Sequence, residues 1–104
     1  MMQFSIKEGF HRVARVTGPE HNFLAVNFEG TGDCFVEVLD DICPDGLTSE
    51  DINRAVQAGV NRANSEQGTT LEAKQIQYLQ SDTRRLDTYE LLGYELALRY
   101  VGTD

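Results

Sequence analysis

Tryptophan is absent from this chain, and cysteine, proline and histidine occur only twice each. So few thiols and imidazoles restrict the chemistry a fold could assemble. Cys34 and Cys43 form neither a CxxC pair nor a Cys/His ligand pair, so their spacing points to neither structural zinc nor a redox motif. His11 and His21 lie in no motif that joins an imidazole to a nucleophile. Long apolar runs are missing too: nothing approaches the about 20 residues that span a bilayer. The start, Met1-Met2-Gln3-Phe4-Ser5, lacks the basic and apolar regions of a signal peptide. The expectation is a cytoplasmic protein with no membrane association, cofactor or metal. Its 104 residues suit one domain spanning residues 1–104, large enough to fold around its own core.

Positive charge is scarce, and its placement is uneven. Seventeen acidic residues against nine basic ones give a formal charge of −8, a field that repels polyanions. Between Arg15 and Arg54 there is no Lys or Arg, while Glu20, Glu29, Asp33, Glu37, Asp40, Asp41, Asp45, Glu50 and Asp51 all fall there. Such a half is either a solubilising surface or a docking surface for a basic partner. Arg84 and Arg85 stand together late in the chain, either as a solvated turn pairing with Asp82 or Asp87 or as a local phosphate contact.

Hydrophobic periodicity gives the element order. Residues 10–16 read as a strand ending in a turn at Thr17-Gly18-Pro19-Glu20-His21-Asn22. In residues 23–29, Leu24, Val26 and Phe28 alternate with Ala25, Asn27 and Glu29, a strand with one buried face. After Gly30-Thr31-Gly32-Asp33, residues 34–39 make a third strand in which Val36 and Val38 share a face. Thr48 then caps a helix whose stripe is Ile52, Ala55, Val56, Gly59, Val60 and Ala63, with Gly59 permitting close packing on the sheet. That helix fades into the polar connector from Asn64 to Thr70, whose Gly68 suits a helix stop. Residues 73–80 are a fourth strand. A second helix over 88–101 starts with Asp87 as N-cap, Glu90 at the third helical position and Leu86 stapling onto Leu91. Its apolar surface is wide, with Leu91, Tyr94 and Leu98 beside the main stripe. The helix therefore either lies between the sheet and the first helix or offers those three residues to a partner or a second copy. The order is βββαβα.

Little in this order carries catalysis. Gly30-Thr31-Gly32 is followed by Asp33 and no helix, so it is neither a P-loop nor a dinucleotide fingerprint. Asp40-Asp41-Ile42-Cys43-Pro44-Asp45-Gly46 has the carboxylate density of a calcium loop without its alternate ligand spacing or closing Glu, and reads first as a turn.

Four strings together carry a resemblance. Arg15-Val16-Thr17-Gly18 precedes Phe23-Leu24-Ala25-Val26. Phe35-Val36-Glu37-Val38 leads to Asp45-Gly46-Leu47-Thr48-Ser49-Glu50-Asp51-Ile52 and Ala55-Val56-Gln57-Ala58-Gly59-Val60. Leu79-Gln80-Ser81-Asp82 precedes Asp87-Thr88-Tyr89-Glu90-Leu91. In shared order and spacing, from about residue 10 to residue 101, the chain resembles domain IV of translational GTPases of the elongation factor G class. The resemblance implies an α+β, two-layer βββαβα sandwich: a four-stranded sheet covered on one face by two helices, with a left-handed βαβ crossover. It also implies a tip built from Gly18-Pro19-Glu20-His21-Asn22 and Asp82-Thr83-Arg84-Arg85-Leu86, the counterpart of the part that enters the ribosomal decoding region. Pro19 and Glu20 stand where the family's loop is Gly-rich and basic, and nothing here binds a nucleoside triphosphate.

The functional expectation is a non-catalytic interaction module, a monomer or weak homo-oligomer, that binds a protein partner through its acidic half or through Leu91, Tyr94 and Leu98. The alternative is association with the ribosome or RNA through Gly18, His21, Asn22, Arg84 and Arg85. A small enzyme with a carboxylate pair hidden by folding is the third reading.

Overall fold

A computed structural model describes residues 2–17, 20–30, 34–40, 48–79 and 86–102. The chain forms an α+β fold of one sheet and two helices: β1 (Met2–Lys7), β2 (Phe10–Thr17), β3 (Glu20–Asn27), β4 (Phe35–Asp40), α1 (Ser49–Gln67), β5 (Gln75–Leu79) and α2 (Leu86–Gly102). From Phe10 onward the order is the expected βββαβα. The sheet has five strands rather than four, in the order β1-β2-β3-β5-β4. The added strand is β1, in which Met2, Phe4 and Ile6 alternate with Gln3, Ser5 and Lys7. It pairs antiparallel with β2 from Met2 opposite Arg15 to Lys7 opposite Phe10. Glu8 and Gly9 link the two strands with positive φ, 54° and 84°, the left-handed pair that a two-residue hairpin turn of matching twist requires.

The β2–β3 pairing is antiparallel and runs as far as Thr17 opposite Glu20. The turn read at residues 17–22 is thus shorter than its composition suggested, and His21 and Asn22 are strand residues opposite Val16 and Arg15. β5 lies antiparallel to β3, and β4 lies parallel to β5. Two parallel neighbours need a crossover, and α1 supplies it. Strand alternation turns Val13, Leu24, Val26, Ile76 and Tyr78 to the helices, where each is fully buried. Each such aliphatic side chain contributes about 1.5 to 3 kcal/mol.

Both helices follow from local chemistry. The Thr48 hydroxyl accepts from the Asp51 N–H at 3.1 Å, as an N-cap should. The stripe from Ile52 to Ala63 is buried as its period demands. The helix runs past Asn64 to Gln67 and stops at Gly68, whose φ of 68° is left-handed and whose N–H donates to the Asn64 carbonyl at 2.8 Å. Asn64 is then part of the helix rather than the connector, and its amide holds that connector: Nδ2 donates to the Leu71 carbonyl at 2.8 Å, and Oδ1 accepts from the Thr69 hydroxyl and the Leu71 N–H. α2 begins at Leu86, which puts Asp87 in the first turn instead of at the cap. Tyr89, Leu92, Leu96 and Ala97 are its buried stripe.

The helices meet each other more closely than either meets the sheet. A Cβ on Gly59 would overlap the Glu90 carbonyl oxygen and lie 2.7 Å from the Tyr94 nitrogen, and one on Gly93 would lie 3.0 Å from the Val56 carbonyl oxygen. Gly59 therefore permits approach to α2, not to the sheet as its place in the stripe suggested. Among the described residues no helix is long and apolar enough to cross a membrane.

Candidate interaction surfaces

The two segments expected to form a tip lie partly outside the described residues, including Gly18, Arg84, Arg85 and the side chain of His21. Their flanks can be placed. Because β5 runs antiparallel to β3 with Tyr78 opposite Leu24, its last residue, Leu79, ends at the same edge of the sheet where β3 begins at Glu20. Asn22 is only 3% exposed, a strand residue turned into the interior.

Leu91, Tyr94 and Leu98 form a half-buried flank of α2, with Tyr94 and Leu98 packed against the core. Tyr94 is held to α1 through its hydroxyl and through the face of its ring. Its hydroxyl donates to Glu66 Oε1 at 2.5 Å, and the Arg62 guanidinium sits 4.3 Å from the ring centroid. The hydrogen bond to the Glu66 carboxylate raises the phenol's pKa, with burial and charge adding to the effect. Tyr94 acts as a strap across the helix pair.

The opposite face of the sheet has no helix on it among the described residues. Alternation sends Phe10, Phe23, Phe35, Glu37 and Gln77 to that side, and Leu39, at the register shift after Val38, joins Phe10, Phe23 and Gln77 there. Gln77 Nε2 donates to Glu37 Oε1 at 2.7 Å across the parallel pair. Phe35 and Leu39 are 63% and 45% exposed, and Phe10 and Phe23 are half-buried. Phe10, Phe23, Leu39 and Gln77, with Lys7, Glu8 and Arg12, line a depression of about 200 Å³. Ala25, paired with Arg12 on one side and Gln77 on the other, is fully buried in the middle of this face. The sequence carried a sign of this surface: with Val36 and Val38 facing the core, Phe35 and Glu37 had to face away.

A second hollow, about 320 Å³, lies between β1 and α2, lined by Phe4, Ile6, His11, Leu96 and Arg99. The Arg99 guanidinium stacks 3.6 Å from the Phe4 ring centroid. His11 meets the Tyr100 and Phe28 rings edge-on at centroid distances of 4.9 and 5.9 Å. Burial lowers its pKa, partly opposed by the Glu29 carboxylate. For Cys34, burial raises the thiol's pKa, with a Gln57 hydrogen bond and the Lys74 charge acting in the opposite direction, so it is not a thiolate at neutral pH. Most of the acidic run from Asp40 to Gly46, with Cys43, lies outside the described residues. Among the described residues no three His, Cys, Asp or Glu side chains come together to hold a metal.

Compared with family models, curated proteins and solved structures, the chain gives no match in any of the three.

Proposed function

We propose that this protein is a non-catalytic interaction module whose uncovered sheet face docks a basic protein partner. The observation that carries this is the β4 surface: Phe35 and Leu39, each well exposed, flank Glu37 on one face of one strand. Exposed apolar side chains around a shallow depression supply area, and the carboxylates of the half that lacks Lys and Arg supply steering. Resemblance to elongation factor G domain IV remains part of the proposal. The βββαβα order from Phe10 onward supports it, and a left-handed β4-α1-β5 crossover is its sharpest geometric consequence.

The test is affinity capture with the wild type and with Phe35→Ser/Leu39→Ser side by side. Both positions are exposed, so the variant keeps its melting temperature. A partner retained by the wild type and lost by the variant is expected; identical captures would remove the open face from consideration. Association with the ribosome or RNA is the second reading, supported by the register that brings the flanks of both tip segments to one edge of the sheet. Cosedimentation with ribosomes that is present at low salt and lost at high salt would favour it.

A further inference from the structure

We infer that β1 is the receiving edge for an extended segment of a partner protein in which acidic and apolar residues alternate. Among the described residues β1 is the last strand of the sheet on its side and pairs only with β2. An edge strand presents backbone N–H and C=O groups to a further strand, and proteins usually blunt it with proline, a bulge or charge. The other edge, β4, carries Glu37 and Asp40 and has a register shift between Val38 and Asp40. β1 is regular from Met2 to Lys7, contains no proline, and lies in a stretch of the opposite sign. Residues 2–17 hold Lys7, Arg12 and Arg15 against Glu8 alone, in a chain with a formal charge of −8. These cations guard the edge against a second copy, which would bring the same charges to it. An acidic segment meets them with opposite charge.

Two guanidinium groups are brought to this strand, one on each face. On the uncovered face Arg12 Nε donates to the Ser5 hydroxyl at 3.1 Å, with Lys7 next along the same row. On the helix face the Arg99 guanidinium stacks 3.6 Å from the Phe4 ring centroid. Neither Arg12 nor Arg99 pairs with a carboxylate among the described residues. The pleat then fixes what a strand laid against β1 must carry. Its helix-side residues fall beside Phe4 and Ile6, and Ile6 is 60% exposed at the hollow of about 320 Å³ that Phe4, Leu96 and Arg99 also line. Its other residues fall beside Ser5 and Lys7, within reach of Arg12. Apolar side chains suit the first row and carboxylates the second. Strand addition of this kind takes affinity from main-chain hydrogen bonds and specificity from alternate side chains. The contact is separate from the open β4 surface and calls for a partner of opposite charge.

Titration calorimetry with three short blocked peptides tests this, with hydrogen exchange to locate the contact. One peptide alternates Val with Glu, the second alternates Val with Lys, and the third is the Val/Glu peptide with alternate backbone amides methylated so that it cannot add as a strand. Expected are binding of the first peptide alone, weaker at high salt, and added protection of β1 amides that do not bond to β2. Lys7→Glu and Ile6→Ser, both at exposed sites, should each keep the melting temperature, and Lys7→Glu should weaken binding at least about tenfold. Phe35→Ser/Leu39→Ser should leave binding intact. No binding of the Val/Glu peptide up to about 1 mM overturns the inference. So does equal binding of the Val/Lys or the methylated peptide, binding unchanged by either single substitution, or protection that appears at β4 in place of β1.

Discussion

The two long sides of α2 are built by opposite rules. Toward α1 the backbones approach until only glycine fits, at Gly59 and Gly93, and Tyr94 closes the seam with a hydrogen bond to Glu66. Toward β1 the same helix leaves a hollow of about 320 Å³, crossed by Arg99 stacked on Phe4. At those two glycines an added methyl has nowhere to relax. Gly59→Ala tests the first half of this contrast hardest. The added methyl meets Glu90 and Tyr94 main-chain atoms, so a helix must move, and a loss of about 3 kcal/mol in urea unfolding is expected. A loss below about 1 kcal/mol would mean that the helices are not in backbone contact.

Gly93→Ala grades the same seam. Its methyl would sit 3.0 Å from the Val56 carbonyl oxygen and 3.2 Å from the Val56 Cα, a tight fit rather than an overlap. Alanine's helix propensity returns about 1 kcal/mol, so the net loss should be about 1 to 2 kcal/mol. If Gly93→Ala proved more damaging than Gly59→Ala in the same assay, the crossing point would lie nearer the C-terminal part of α2.

How far the sequence disclosed this contrast depends on which signal each side used. The buried stripe from Ile52 to Ala63, the Thr48 cap and the Gly68 stop were all legible, because period and capping are local. The destination of Gly59 was not: a stripe says that a face is covered, never by what, and the close neighbour lies on a helix far along the chain. β1 had a clear period-two alternation in Met2, Phe4 and Ile6, yet the expected strands began only at residue 10. Gly18, Pro19 and Asn22 carry turn chemistry, which made the hairpin look longer than the pairing of Thr17 with Glu20 allows. At the candidate site, the outward facing of Phe35 followed from that of Val36 and Val38, whereas Leu39 lies at a register shift that the alternation does not disclose. That no described element covers that face is a tertiary fact.

The flank should respond weakly where the seam responds strongly. Arg99→Gln removes the guanidinium from the Phe4 ring but keeps part of the alkyl stem over it. Exposed cation–π contacts of this kind are worth about 0.5 to 1 kcal/mol, so thermal unfolding should shift by no more than that. A loss equal to that of Gly93→Ala would show that Arg99 closes the hollow as a structural member, and the contrast between the two sides would fail.

The smallest expected effect belongs to His11, at the inner end of the same flank. Tyr100 and Phe28 pack on its ring, Glu29 lies near enough to favour its charged form, and the Tyr100 hydroxyl donates to Glu29 at 3.4 Å. Burial outweighs the carboxylate, so the folded pKa lies below the ordinary 6.5. The unfolded chain then takes up the proton first, and the stability held by the neutral ring is lost as pH falls through 6.5 toward the folded value. Between about pH 7.5 and about pH 5.5, the melting temperature of the wild type should fall more than that of His11→Phe, which keeps the aromatic packing and cannot titrate. Carboxylates titrate mostly below this window and His21 is common to both proteins, so the difference between the two slopes isolates His11. A wild type that gains on the variant as the solution is acidified would mean that Glu29 dominates, and that the flank is wet enough to hold an imidazolium.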